Sequence, residues 1–123
     1  MKVASLIARY LLGLIFLIFG ANGFLHFIPM PPPAGVAGQF MGALFVSHML
    51  VAIFLVQLLG GILLLVGRYV PLALVLLGPV IVNIVLFHSF MAPSGLPLAT
   101  LVVLLWLLTA WSVRESFAGI FAR

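Results

Sequence analysis

Cysteine is absent from the 123 residues, which excludes disulfides, thiolate nucleophiles, thiol relays and cysteine-held iron–sulfur clusters within this chain. Acid is nearly absent too: Glu115 stands alone against five Lys and Arg. It lies outside every apolar run, so the buried carboxylates on which proton-coupled pumps and transporters depend are missing. Charged residues of both signs make up 5% of the chain while 67% is hydrophobic; soluble domains carry about 25% charge. Such a chain belongs in a lipid bilayer. The isoelectric point near 10.9 reports scattered cations and no basic patch, so nucleic acid is not an expected partner. Ser47 and His48 are neighbours and would diverge by about 100° on a helix, which leaves no nucleophile–base arrangement and no catalytic residue to name.

What is present is apolar sequence in spanning lengths. A bilayer crossing needs roughly 20 mostly apolar residues, and four segments supply them, at about 5–28, 48–66, 70–91 and 97–113. The expected fold is therefore an all-α integral membrane protein, a four-helix transmembrane bundle forming one domain. The first run lacks a small-x-small cleavage site and is too long for a signal peptide, so it reads as a retained span. "PMPPP" (29–33) ends it by removing backbone donors. "GRY" (67–69) makes a tight hairpin into Val70–Pro71, where proline suits a first helical turn, and "APSGLP" (92–97) separates the last two spans. Residues 34–47 are too short to cross. With Phe40 and Leu44, and Met41 and Phe45, at i, i+4 spacing, they form either a short interfacial helix, the preferred reading, or an extension of the second span.

With four crossings, Lys2, Arg9, Arg68, Arg114 and Arg123 all fall on one side. Cations favour the cytoplasmic side, so both termini are expected there. Trp111, Tyr10 and Tyr69 fall near the same boundary, as an aromatic belt does.

Polar side chains inside a bilayer are costly, so the short polar set is informative. It comprises Asn22, His26, His48, Gln57, Asn83 and His88, with Ser47 and Ser89 as hydroxyls. The topology puts the three histidines toward the outer leaflet. Asn22 and His26, four apart, lie about 40° apart on a helix, so Asn22 would bond His26 or a neighbouring helix. Asn83 and His88 diverge by about 140° on a regular helix and share a face only if its end unwinds. His48 and Gln57, nine apart, point to opposite faces. The ligand-binding candidates are thus Asn22, His26, Asn83, His88 and His48. Each has a plainer reading, a histidine snorkelling or bonded to a carbonyl and an Asn83 bracing a helix bent at Pro79. Gly60 and Gly61, with Gly13 and Gly20, read as helix-packing positions. Three imidazoles would suit zinc or copper, two a haem, and one a hydrogen bond to a quinone carbonyl; no two histidines share a helix, so the spacing is not diagnostic of a metal.

The stretches "RYLLGLIFLIFGANGFLHFIPMPPP" and "LLGGILLLVGRYVPLALVLLGPVIVNIVLFHSFMAPSGLP" resemble DoxX-like membrane proteins over residues 8 to 113. The resemblance implies a four-helix bundle in the inner membrane and association with respiratory redox systems, as small subunits of quinol oxidase or thiosulfate:quinone oxidoreductase assemblies. The resembling proteins often carry Lys and Glu where this chain has Phe54 and Gln57, so the buried charge pair is absent here. The expectation that follows is a redox-associated subunit binding a quinone or similar lipid-like molecule near the outer leaflet, with haem or metal as lesser candidates. Its alternative is a structural or assembly subunit without chemistry of its own, partnered by other membrane subunits or a homo-oligomer.

Overall fold

The computed structural model describes residues 2–28 and 33–120. It contains five α-helices and, among the described residues, no strand: α1 (Lys2–Leu25), α2 (Gly35–Val46), α3 (Met49–Val66), α4 (Val70–Phe90) and α5 (Leu96–Ser112). Short 3-10 turns occupy Pro93–Gly95 and Arg114–Phe117. The four long helices, the last taken with its leading 3-10 turn as Pro93–Ser112, are apolar and long enough to cross a membrane; α3, with 18 residues, has an axis of about 27 Å, close to the hydrocarbon thickness.

Apolar sequence makes helices here because a bilayer leaves the backbone no other way to satisfy its donors and acceptors. The four long helices run alternately up and down and close into a ring in which α1 packs mainly on α3, then on α5, while α4 closes the far side against α3 and α5. Leu12, Phe16, Leu64, Leu74, Leu77, Val102 and Leu105 meet in the core. Outside it, the helices present Leu, Ile, Val and Phe on most of their surface, the inverse of a soluble protein and the expected face toward lipid.

The glycines determine how closely two of these helices approach. A Cβ on Gly61 would lie 2.8 Å from the Leu17 nitrogen and 2.9 Å from the Gly13 carbonyl oxygen, so α1 and α3 touch backbone to backbone. Gly20 packs likewise on Leu58 and Gln57, and Gly60 makes room for the Leu77 side chain of α4. On α5, Trp106 donates its indole N–H to the Leu74 carbonyl of α4 at 3.1 Å, and Thr109, wholly buried, bonds back to the Leu105 carbonyl at 2.8 Å.

The first helix ends earlier than the sequence expectation, while the segment before the second span follows its preferred reading. The first span ends at Leu25, ahead of the prolines, because His26 turns left-handed with φ 54°. The segment before the second span is a separate helix, α2, since His48 at φ 66° breaks the chain direction and the Ser47 hydroxyl accepts the Met49 N–H. Gly67 (φ 79°) and Tyr69 (φ 56°) form the equally tight α3–α4 turn. Arg9 packs against Gly67 there and stacks on Tyr10 at 4.7 Å, while Arg114 lies over Trp111 at 4.4 Å. Lys2, Arg9, Arg68 and Arg114 thus share one end of the bundle; Arg123 lies outside the described residues.

Candidate functional site

All three histidines lie at the end opposite the cations: His26 just past α1, His48 between α2 and α3, and His88 in the last turn of α4. Sharing an end does not assemble them. α1 and α4 are diagonal in the ring, and among the described residues no group of three His, Cys, Asp or Glu side chains is arranged to hold a metal ion. The three-imidazole zinc or copper arrangement is therefore not formed.

The Asn22–His26 pair works through the backbone. The His26 N–H donates to the Asn22 carbonyl at 2.9 Å, the single bond of a left-handed helix cap, and the Asn22 side-chain oxygen accepts the Ile28 N–H at 2.7 Å. Asn22 is only 8% exposed. Its oxygen is thus used on its own chain, where the sequence suggested the imidazole or a neighbouring helix, and His26 leaves the helical face on which the two were expected to stack. The His26 ring itself is exposed.

His88 is half-buried, and its Nδ1 lies 2.8 Å from the Ile84 carbonyl. A carbonyl only accepts, so Nδ1 carries the proton and Nε2 of the neutral ring is left as an acceptor. The ring packs against Gly95, at a place where any Cβ would collide with it, and edge-on to Phe87 at 5.2 Å. Phe87 in turn meets Phe40 of α2 at 5.6 Å. His88 thereby seats the α4–α5 turn. His48 is exposed and non-helical, positioned by Ser47 and by its own left-handed backbone.

Asn83 is exposed on the outer face of α4, which stays helical through Phe90. Its distance in sequence from His88 therefore keeps the two on different sides, and it braces no neighbour: among the described residues its amide makes no side-chain hydrogen bond. Gln57, at 8% exposure, lies one turn from Gly60 and Gly61 on the inward face of α3, away from His48. Phe54 covers Gly23 and meets Phe24 edge-on at 6.1 Å.

Two grooves open on the surface. One, about 380 Å³, lies under α2 between Pro33, Gly38, Met41, Phe45 and Leu50. The other, about 360 Å³, separates α4 from α5 along Gly78, Ile81, Val82, Leu86, Val103 and Trp106. Both are apolar, and neither is lined by a histidine.

The cap geometry makes a specific prediction. A left-handed backbone costs a side chain about 1–2 kcal/mol, so His26→Gly should be neutral or stabilising by up to about 1 kcal/mol once the extra freedom of glycine in the unfolded chain is counted. Denaturant unfolding in detergent checks it. A clear loss of stability would mean that the imidazole itself makes a contact the fold needs.

Trp106 and Gly95 carry structural work that the sequence reading did not assign. An indole in mid-span must find an acceptor, and that requirement was the available signal for the bond to α4. Gly95 had none beyond its place in a turn. No family model, curated protein or solved structure matches this chain.

Proposed function

We propose that this chain is a small multi-pass subunit that works by assembly within the membrane, as part of a larger complex, and contributes surface more than chemistry. The observation that carries this reading is the fate of the polar residues. Asn22 and His88 spend their hydrogen bonds on the chain's own turns, while Asn83, without one, faces outward where another membrane protein would meet it. The DoxX-like resemblance supports a respiratory or other redox complex as the setting. The cationic end supports an orientation with both termini in the cytoplasm.

The ligand reading has a quinone head group between His26 and His88. It requires His88 to donate to a quinone carbonyl, and its donor is committed to Ile84; a neutral ring then offers only an acceptor. Native mass spectrometry of the chain, extracted gently from its own membranes, separates the two. The expected result is a stoichiometric complex of polypeptides whose composition survives His26→Ala and His88→Ala. A single chain carrying a quinone or haem mass that either substitution removes would overturn the assembly reading.

A further inference from the structure

The cations at one end of the bundle are not alike. Arg114 is satisfied within the chain, donating to the Trp111 carbonyl at 2.9 Å. Arg9 is not. It is half-buried on α1, and its guanidinium lies so close to Gly67 that any Cβ there would collide with it. The left-handed glycine of the α3–α4 turn (φ 79°) leaves the space that the guanidinium fills. Five N–H donors are thus held against that turn, and among the described residues none of them makes a hydrogen bond. Arg68, the next residue of the turn, is exposed and makes none either. Lys2 lies two turns before Arg9 on the same face of α1. The one acidic side chain, Glu115, sits beside Arg114 in the turn after α5.

We infer that this flank of the bundle binds the phosphate of an anionic phospholipid, with Arg9 and Arg68 as its ligands. Cations at a helix end orient a membrane protein without holding any particular lipid. This pair differs because one guanidinium is seated on backbone beside a second cation, and the chain supplies no acceptor for either. A guanidinium takes phosphate through two parallel N–H···O bonds, and a seated one loses less freedom in forming them. α4 begins at Val70, so the positive end of its dipole adds to the same field. The surroundings select a lipid over phosphate from solution. Leu6 and Tyr10 flank Arg9 on α1 and Val66 precedes the turn, all exposed, and they form an apolar wall that acyl chains cover and a soluble anion cannot use. Charge selects an anionic lipid, since a zwitterionic head group would bring its own ammonium to cations that already lack a counter-ion. Basic sites between helices hold anionic head groups in this way. The inference goes beyond the assembly reading and does not depend on it.

The test places the full chain in detergent micelles with equal amounts of phosphatidylglycerol and phosphatidylcholine and counts the retained lipids by native mass spectrometry. Phosphatidylglycerol should be retained in preference. The preference should fall about fivefold in Arg68→Gln and by a similar factor in Arg9→Gln, the attraction lost with one cation near a membrane surface, and should be unchanged in Arg114→Gln. Arg68 is exposed, so its substitution is read in a folded chain even if Arg9→Gln loosens the turn. Equal retention of the two lipids would overturn the inference. So would a preference that Arg114→Gln lowers as much as Arg68→Gln, because it would report only the general charge of that end. Inorganic phosphate in excess should leave the lipid in place; its displacement would show a site for the free anion and overturn the lipid assignment.

Discussion

Gly61→Leu should abolish the folded bundle, and Gly61→Ala should already cost about 3 kcal/mol, the upper part of the range for overpacking a filled interior. The atoms that a new Cβ would meet, the Leu17 nitrogen and the Gly13 oxygen, belong to the α1 backbone, so no rotamer change relieves the clash and the helices themselves must separate. Separation would reach along the crossing, because Gly13, Gly20 and Gly61 all lie in the same α1–α3 contact. In a bilayer no hydrophobic driving force holds two helices together once close packing is lost. Gly60→Ala provides a graded comparison. Its new Cβ would meet only the Leu77 side chain, which can shift, so its cost should be smaller than that of Gly61→Ala. Gly42→Ala, where nothing lies within 4 Å, should be tolerated or mildly stabilising, since alanine is the better helix former by up to about 1 kcal/mol. Denaturant unfolding of the three alanine variants in one detergent checks the order. Equal losses at Gly60 and Gly61 would show that the α1–α3 approach is not what the glycines serve.

That contact was legible in the sequence as a set of small residues in spans, and so were the four helices, because spanning length and the lack of charge admit few alternatives. The separate α2 was legible only as one of two readings. Nothing in "FVSHML" forbids a continuous helix; the break comes from His48 adopting a left-handed backbone, a choice made by tertiary context. The polar residues were the least legible, for a related reason. Spacing says which side chains share a helical face only while the helix lasts, and α1 stops at Leu25, so the face assumed for Asn22 and His26 ends between them. For Asn83 and His88 the opposite holds. The helix continues regularly past both, so the 140° divergence stands and Asn83 faces away from the bundle. Sequence alone reads an intramembrane asparagine as needing a partner, and it cannot say whether that partner is in the same chain.

Asn22→Leu tests the other half of that argument, and its expected effect is the second largest. The Asn22 side-chain oxygen is the acceptor for the Ile28 N–H at 2.7 Å, and the residue is buried, with 8% of its surface exposed. Leucine fills the volume and removes the acceptor. An amide left unsatisfied where water is scarce costs about 1–3 kcal/mol, and the loss should fall on the turn after α1 rather than on the helix, because the His26 N–H keeps its bond to the Asn22 backbone carbonyl. Amide hydrogen exchange discriminates the two roles open to this residue. If Asn22 holds the turn, protection at Ile28 drops in Asn22→Leu while protection within α1 up to Gly20 is unchanged, and no ligand is needed to see it. If Ile28 exchanges as in the unsubstituted chain, the side chain is not the cap, and the asparagine is free to serve a bound molecule. The turn matters beyond its own residues. It lies at the same end of the bundle as the contact of Phe40 in α2 with Phe87 in α4, so loosening it should also raise exchange at that end.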